Sequence, residues 1–309
     1  VNAVEIGGMI TKNTTLYPNV HYRVTKPIAV PKGVTLTIKP GTVLKFDDGT
    51  GISVTTIMDY NYVNGQEEYY VDEENSGKLI MQGPPDSLIV IDGSACEKKG
   101  LSIRLGTGST LTMKNPKTIE YVLFCNLSEN TISPYIPSTF GGYLLKNCIY
   151  DNLIGYRMPG CSDLMLKCNL FNICLHYTGV KNIEDCNLLN FTSLSDNGYS
   201  VPVSYGGNNY LEPLYNKNNE TFAFLSNNDA SPTTVTFEHP SYWGSSKESI
   251  VRRYVWDIEK GVGFGYYDLS NMLTRPNKEA HGCVWKVVVD GYDAQDDFDE
   301  TIGRGQTQI

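Results

Sequence analysis

An all-β chain wound as a parallel β-helix is the fold the sequence predicts: a single-stranded solenoid with loop insertions and a C-terminal extension. Three observations predict it. Residues 33 to 54 spell one coil, a short motif recurs about every 20 residues, and the composition favours strands over helices. In the coil, Val34, Leu36 and Ile38 alternate with Thr35, Thr37 and Lys39, so one strand face is apolar and the other wet. Pro40-Gly41 turns the chain, Val43-Leu44-Lys45-Phe46 begins a second strand, and Asp47-Asp48-Gly49 turns it again. Strands this short cannot close a barrel, and no Asn-Gly joins them as a hairpin. Strand, near-right-angle turn, strand, turn is one coil of a solenoid.

The repeat is carried by cysteine and asparagine. Cys148-Ile-Tyr-Asp-Asn152, Cys168-Asn-Leu-Phe-Asn172 and Cys186-Asn-Leu-Leu-Asn190 align, with Cys125-Asn126-Leu127 as a degenerate earlier copy. A period near 20 is that of a stacked solenoid. Equivalent residues of adjacent parallel strands lie about 4.8 Å apart. Cys148, Cys168 and Cys186 are therefore expected to form an inward ladder of buried thiols. Asn152, Asn172 and Asn190 are expected to form a second ladder at the turn, each amide donating to the carbonyl below. Eight cysteines in a chain expected outside the cell would ordinarily suggest disulfides, but this is repeat spacing, and buried Cys behaves as a small hydrophobe. A metal reading would need a convergence that a flat ladder lacks.

Other passages fit the plan. Lys78-Leu-Ile-Met81 and Ser87-Leu-Ile-Val-Ile91 read as the next coil. Leu101-Ser-Ile-Arg-Leu105, Ser109-Thr-Leu-Thr-Met113 and Thr118-Ile-Glu-Tyr-Val-Leu-Phe124 read as the one after. Between Val54 and Gly77 lies an acidic insertion bearing Tyr60, Tyr62, Tyr69 and Tyr70, rings that suit either a sugar or a coil edge. Apolar content of 40% supports a real core, and 29 Gly, 15 Pro and 21 Tyr favour β structure. A net charge of −9 argues against nucleic acid and anionic membranes, which need a basic footprint. No apolar run approaches the roughly 20 residues of a spanning helix. No basic-then-apolar leader stands at Val1, so the chain reads as mature protein or as an excerpt of a longer one.

The stretch Val34-Thr-Leu-Thr-Ile38, Pro40-Gly-Thr-Val43 and Lys45-Phe46 resembles the opening coil of right-handed parallel β-helix proteins of bacterial and archaeal cell surfaces, an adhesin-like group. The resemblance implies the right-handed sense. His239-Pro-Ser-Tyr-Trp-Gly-Ser-Ser246 is similar to the segment that closes many of these helices. It implies that Tyr242 and Trp243 cap the last coil and that Ile250-Val-Arg-Arg-Tyr-Val-Trp-Asp257 is a final strand. Pro276 to His281 reads as linker, and Cys283-Val-Trp-Lys-Val-Val-Val-Asp-Gly-Tyr-Asp293 resembles the first strand of the Ig-like domains that follow such helices. About 27 residues are too few to complete one. Residues 1–270 are thus expected to form the β-helix with its caps. Residues 271–309 would hold a linker and a C-terminal strand, a partial Ig-like or intermolecular element.

Chemistry is sparse. The Asn-Thr-Asp, Gly-His-Gly and Arg-x-Lys motifs of the fold-related polygalacturonases are absent, and only an adjacent Asp pair, Asp47-Asp48, remains, in a turn. Counting nine residues on from the ladder cysteines lands on Arg157, Tyr177 and Ser195, with His176 beside Tyr177. Arg157, His176 and Tyr177 on one face could neutralise a uronate and abstract its C5 proton, or could be plain polar turn residues. The acidic run with Asp290, Asp293, Asp296 and Asp297 suits a hard cation such as calcium, or is a solvated loop; no other cofactor is expected. The favoured reading is a non-enzymatic extracellular or cell-surface module that presents a face and its loops to a glycan, a surface or another copy. The alternatives are a polysaccharide lyase or depolymerase, and a filament or spike subunit that pairs through its C-terminal strand as a homo-oligomer.

Overall fold

Alternating apolar residues between turn signals make the strands of this chain, and its turns decide how they stack. The computed structural model describes residues 3–96, 102–104, 117–125, 143–150, 164–176, 182–195, 204–211, 225–227, 234–236, 239–261, 265–280, 288–289 and 292–293. The protein is mostly β, and its large sheets are parallel. Each unit is a short strand, a turn and a second strand. The short strands Thr14–Leu16, Thr35–Ile38 and Lys78–Met81 pair side by side. Lys117–Glu120, Tyr143–Lys146, Leu164–Leu166, Asn182–Glu184 and Ser204–Gly206 continue in a five-stranded sheet. The second strands join a 13-stranded sheet. Its central run is His21–Val30, Val43–Asp47, Ile89–Ala95, Val122–Cys125, Ile149–Tyr150, Asn169–His176 and Asn187–Ser195.

The corner between the two strands is a left-handed residue in five successive units: Tyr121, Asn147, Lys167, Asp185 and Gly207, with φ of 56°, 50°, 52°, 50° and 66°. That conformation turns the strand direction in one residue, and the stack holds it. The N–H groups of Asn147, Lys167 and Asp185 donate to the carbonyls of Leu166, Glu184 and Gly206 in the next unit at 3.1, 3.0 and 3.0 Å. Non-glycine residues there are strained by about 1–2 kcal/mol. Glycine is required only at the last corner, where a Cβ on Gly207 would meet Asp185 Oδ1 at 2.4 Å.

Core-facing positions line up along the stack. Tyr22, Leu44, Ile91 and Phe124 form one buried row, and Leu188 and Tyr210 lie further along it. Leu16, Ile38, Met81 and Ile119 form the opposing row. At the far end Trp243 stacks on Tyr210 with ring centroids 4.0 Å apart and planes at 5°, and Tyr242 bridges Asn209 and Leu273. Beyond them Arg252 clamps the chain. It reaches the buried Asp257 carboxylate at 3.2 Å, donates to Tyr266 OH and to the Tyr267 carbonyl at 2.7 Å each, and lies over the Tyr266 ring. Residues 250 to 257, expected as one strand, are mostly helical: Glu248–Val251 is an α-turn, Arg252–Tyr254 a 3-10 turn, and only Val255–Trp256 a strand. Glu248 pairs with Arg252 four residues on, the interval of one helical turn, which favours the helical conformation here. Among the described residues no helix is long and apolar enough to cross a membrane.

Candidate functional site

The tyrosine-rich insertion is a β-hairpin. Met58–Val63 runs antiparallel to Gln66–Val71, with Asn64 and Gly65 at φ 52° and 79° between them. Both central residues at positive φ make the primed turn whose twist matches the strands, and Asn-Gly is its strongest sequence signal. Asn64-Gly65 is thus the signal in the sequence for a hairpin where the acidic and tyrosine content suggests a loop. The base is pinned to the stack: the Ile57 N–H donates to Ser76 Oγ at 2.7 Å, and the Asp72 N–H to the Ile57 carbonyl at 2.8 Å. Asp72 accepts from the Asn75 side chain at 2.7 Å and from the Glu74 and Asn75 backbone. Those bonds, the Asn75 side chain foremost, hold its carboxyl below the usual range.

The register pairs Tyr60 with Tyr69 and Tyr62 with Glu67, so positions 60, 62 and 69 share one hairpin face and position 70 the other. Tyr62 is 69% exposed, so its ring covers no coil edge. Asp59 and Asn61 are exposed beside it. In sequence the hairpin carries Asp59, Glu67 and Glu68 among its tyrosines.

The cysteine row and an amide row lie at the corners of the later units. Cys148, Cys168 and Cys186 are fully buried thiols, each one residue before the mutually paired Ile149, Asn169 and Asn187. Their row continues from Thr42, Ile89 and Val122 and runs on to Asn208 and Ser241. Cys125 lies outside it, since Val122 and not Cys125 occupies the equivalent position. Cys186, Asn208 and Ser241 of this row each accept from the backbone one unit earlier. Cys168 N–H donates to Cys186 Sγ at 3.3 Å, Cys186 N–H to Asn208 Oδ1 at 2.8 Å, and Asn208 N–H to Ser241 Oγ at 3.2 Å. The thiols donate in turn to carbonyls two residues back, Cys168 to Leu166 and Cys186 to Glu184. Burial, with Cys168 adding to it, keeps the Cys186 thiol well above the usual thiol range.

The amide row in the structure is Asn169, Asn187 and Asn209, one residue after the thiol row. Asn187 Nδ2 donates to Asn169 Oδ1, and Asn209 Nδ2 to Asn187 Oδ1, at 2.9 Å each. Of the row expected at Asn152, Asn172 and Asn190, the register sets positions 172 and 190 level with each other, within the strands Asn169–His176 and Asn187–Ser195 and not at a turn, and Asn152 lies outside the described residues. Ile149 interrupts the Cys-Asn pairing in one copy of the repeat.

The stretch that reads as linker is held. Leu273 N–H donates to the Ser241 carbonyl at 2.9 Å, and Asn277 N–H to Asn209 Oδ1 at 2.6 Å. Asn277 Nδ2 donates to Asp185 Oδ1 at 3.0 Å, Asn187 Nδ2 to the Ala280 carbonyl, and Glu279 faces Lys167 at 3.8 Å.

Arg157 and Tyr177 lie outside the described residues, as do Asp290, Asp296 and Asp297, and His176 ends a strand opposite Leu194. Asp293 sits in Tyr292–Asp293, which pairs antiparallel with Val288–Val289, so that part of the C-terminal strand has a partner in its own chain. Asp47 of the adjacent pair holds Arg23, with Nε to Oδ1 at 2.8 Å. Among the described residues no group of three or more His, Cys, Asp or Glu is placed to hold a metal ion. No protein-family model, curated protein or solved structure matches this chain.

Proposed function

We propose that the chain is a right-handed parallel β-helix of an extracellular surface protein, and that the hairpin of residues 58–71 is its glycan-binding arm. The stacked parallel units with their recurring corners support the first part. The exposed Tyr62 ring carries the second. Tyrosine offers a flat apolar face and a polar edge, the combination that packs against a sugar ring while keeping its hydroxyl wet. The acidic residues that the hairpin carries in sequence, Asp59, Glu67 and Glu68, give the arm a negative field that disfavours uronates and suits neutral or amino sugars. The stack acts as a rigid base and needs no catalytic group. No observation favours the lyase alternative.

A glycan array probed with the full chain tests this. Neutral or amino sugars should be retained, uronates should not, and Tyr62→Ala should weaken retention about tenfold, the loss of roughly 1.4 kcal/mol. No retained glycan, or one whose retention ignores Tyr62→Ala, overturns the proposal.

A further inference from the structure

The tip of the hairpin carries a reactive pair that its proposed role does not use. Asn64 and Gly65 make the whole loop, since Val63 and Gln66 are the last residues paired. Both loop residues are exposed. Neither the Asn64 side chain nor the Gly65 N–H has a hydrogen-bond partner among the described residues. A Cβ built on Gly65 meets nothing within 4 Å, so the loop is open on that side. The chain's other Asn-Gly, Asn197-Gly198, lies outside the described residues.

An asparagine followed by glycine is set up to react with itself. The backbone nitrogen after the asparagine closes a five-membered ring when it meets Cγ, and a following glycine has no side chain to crowd the approach. Held in one molecule, the two groups need no collision. The Gly65 nitrogen gives its proton to solvent base and attacks Asn64 Cγ. The Cγ–Nδ2 bond breaks and ammonia leaves, which completes a cyclic imide. Water then opens the imide at one of its two carbonyls. Opening at Cγ restores the ordinary backbone, with a carboxylate side chain at position 64. Opening at the backbone carbonyl routes the chain through Cγ instead and leaves an isoaspartyl link. One water enters and one ammonia leaves, and nothing is oxidised or reduced.

We propose that Asn64-Gly65 is a self-modifying site of the folded protein, and that its isoaspartyl product unties the hairpin. A two-residue loop with φ of 52° and 79° brings Val63 opposite Gln66 only in the primed turn. An isoaspartyl link adds a methylene to the backbone there and loses that geometry. The carboxylate product keeps it, because Asp-Gly suits the same turn, and merely adds a charge. The damage falls beside Tyr62, one residue before the closing pair. The chemistry rests on the hairpin alone. Its consequence rests on the glycan-binding reading of the arm: each copy then holds its sugar for a limited life.

Incubation of the full chain at neutral and alkaline pH, folded and in urea, followed by peptide mapping, tests this. Position 64 should exchange its amide for a carboxyl, faster at alkaline pH because the attacking nitrogen must lose its proton. In the folded chain the reaction should run no more than about tenfold slower than in urea, roughly 1.4 kcal/mol of barrier. An isoaspartyl-specific methyltransferase should label the peptide that holds residues 64 and 65. Amide hydrogen exchange across residues 58–71 should be faster in the isoaspartyl chain, while the core strands keep their protection. Asn64→Gly keeps a turn-compatible pair with no amide to lose, so its hairpin exchange should not change through the same incubation. A position 64 that reacts only in urea, a product without isoaspartyl, or an isoaspartyl chain whose hairpin exchanges as before overturns the proposal. None of these readouts involves a sugar, so their failure is distinct from an empty glycan array.

Discussion

The early and late halves of one buried row make the most instructive contrast in this molecule. In the early units its occupants include Ile89 and Val122, in the later ones Cys148, Cys168, Cys186, Asn208 and Ser241. The difference follows from where the backbone N–H at that position finds an acceptor. Thr42 N–H donates to the Lys39 carbonyl at 3.2 Å and Ile89 N–H to the Tyr121 carbonyl at 3.2 Å, so backbone alone satisfies them. Past Cys168 the acceptor is a side chain of the next unit: a thiol, then an amide, then a hydroxyl. A buried N–H without a partner costs about 1–3 kcal/mol. Cys186, Asn208 and Ser241 therefore serve as acceptors, a task that backbone carbonyls perform for Thr42 and Ile89, and the two ends of one row are held by different physics.

Substitutions should separate the halves by size of effect. Phe46, fully buried in the early core, should lose about 3–5 kcal/mol of unfolding free energy on Phe46→Ala, through lost transfer energy and a cavity. Asn209→Ala in the late half should cost about 1–3 kcal/mol, because the Asn187 and Asn277 groups bonded to it lose their partner. Urea titrations of the two variants compare them. Equal costs would mean that the amide row carries more of the stability than burial in the early core does, or that the core closes over the gap.

Alkaline pH gives a smaller, graded effect in the early half. Cys96 Sγ donates to the Phe46 carbonyl at 3.4 Å. Burial first, then Asp48, Asp47 and Asp92, pushes its thiol up to about 11 from the ordinary 9.0. Below pH 9 both folded and unfolded chains keep this proton, and the contribution is whole. Between 9 and 11 the unfolded chain releases a proton that the fold retains, so stability falls as pH rises. Urea midpoints measured from pH 8 to 11 should fall less steeply in Cys96→Ala than in the unaltered chain. Parallel curves would remove Cys96 from the account.

How much of this was legible follows the same division. Alternation between Val34 and Phe46 exposed the strands and their turns, because one face is apolar over several residues. The recurrence of cysteine places Cys148, Cys168 and Cys186 in one row and marks them as small hydrophobes. The acceptor role of Cys186 depends on which N–H lies beside it, and that is a property of the stack with no trace in a single repeat. The bonded amide row at Asn169, Asn187 and Asn209 is harder to see than the one expected three residues on, because Ile149 interrupts its recurrence. The helical turn at 248–251 was hidden by the β-branched and aromatic residues around it. The docked linker could not be read at all, because Asn277-Lys-Glu-Ala280 has no periodicity and gains its meaning only from Asp185, Asn187 and Asn209. Of the candidate site, the tyrosines were legible by type, and their presentation on a hairpin was written in Asn64-Gly65.

The acceptor role of the late row is tested most directly at Cys186, by comparing the unfolding free energies of Cys186→Ser and Cys186→Val. Both keep the side chain close to its present size. Serine keeps an acceptor for the Cys168 N–H, and valine removes it, so the account predicts that valine costs about 1–3 kcal/mol more than serine. If valine matches the unaltered protein and serine is the costly change, the thiols are there for packing alone, and the contrast between the two halves fails.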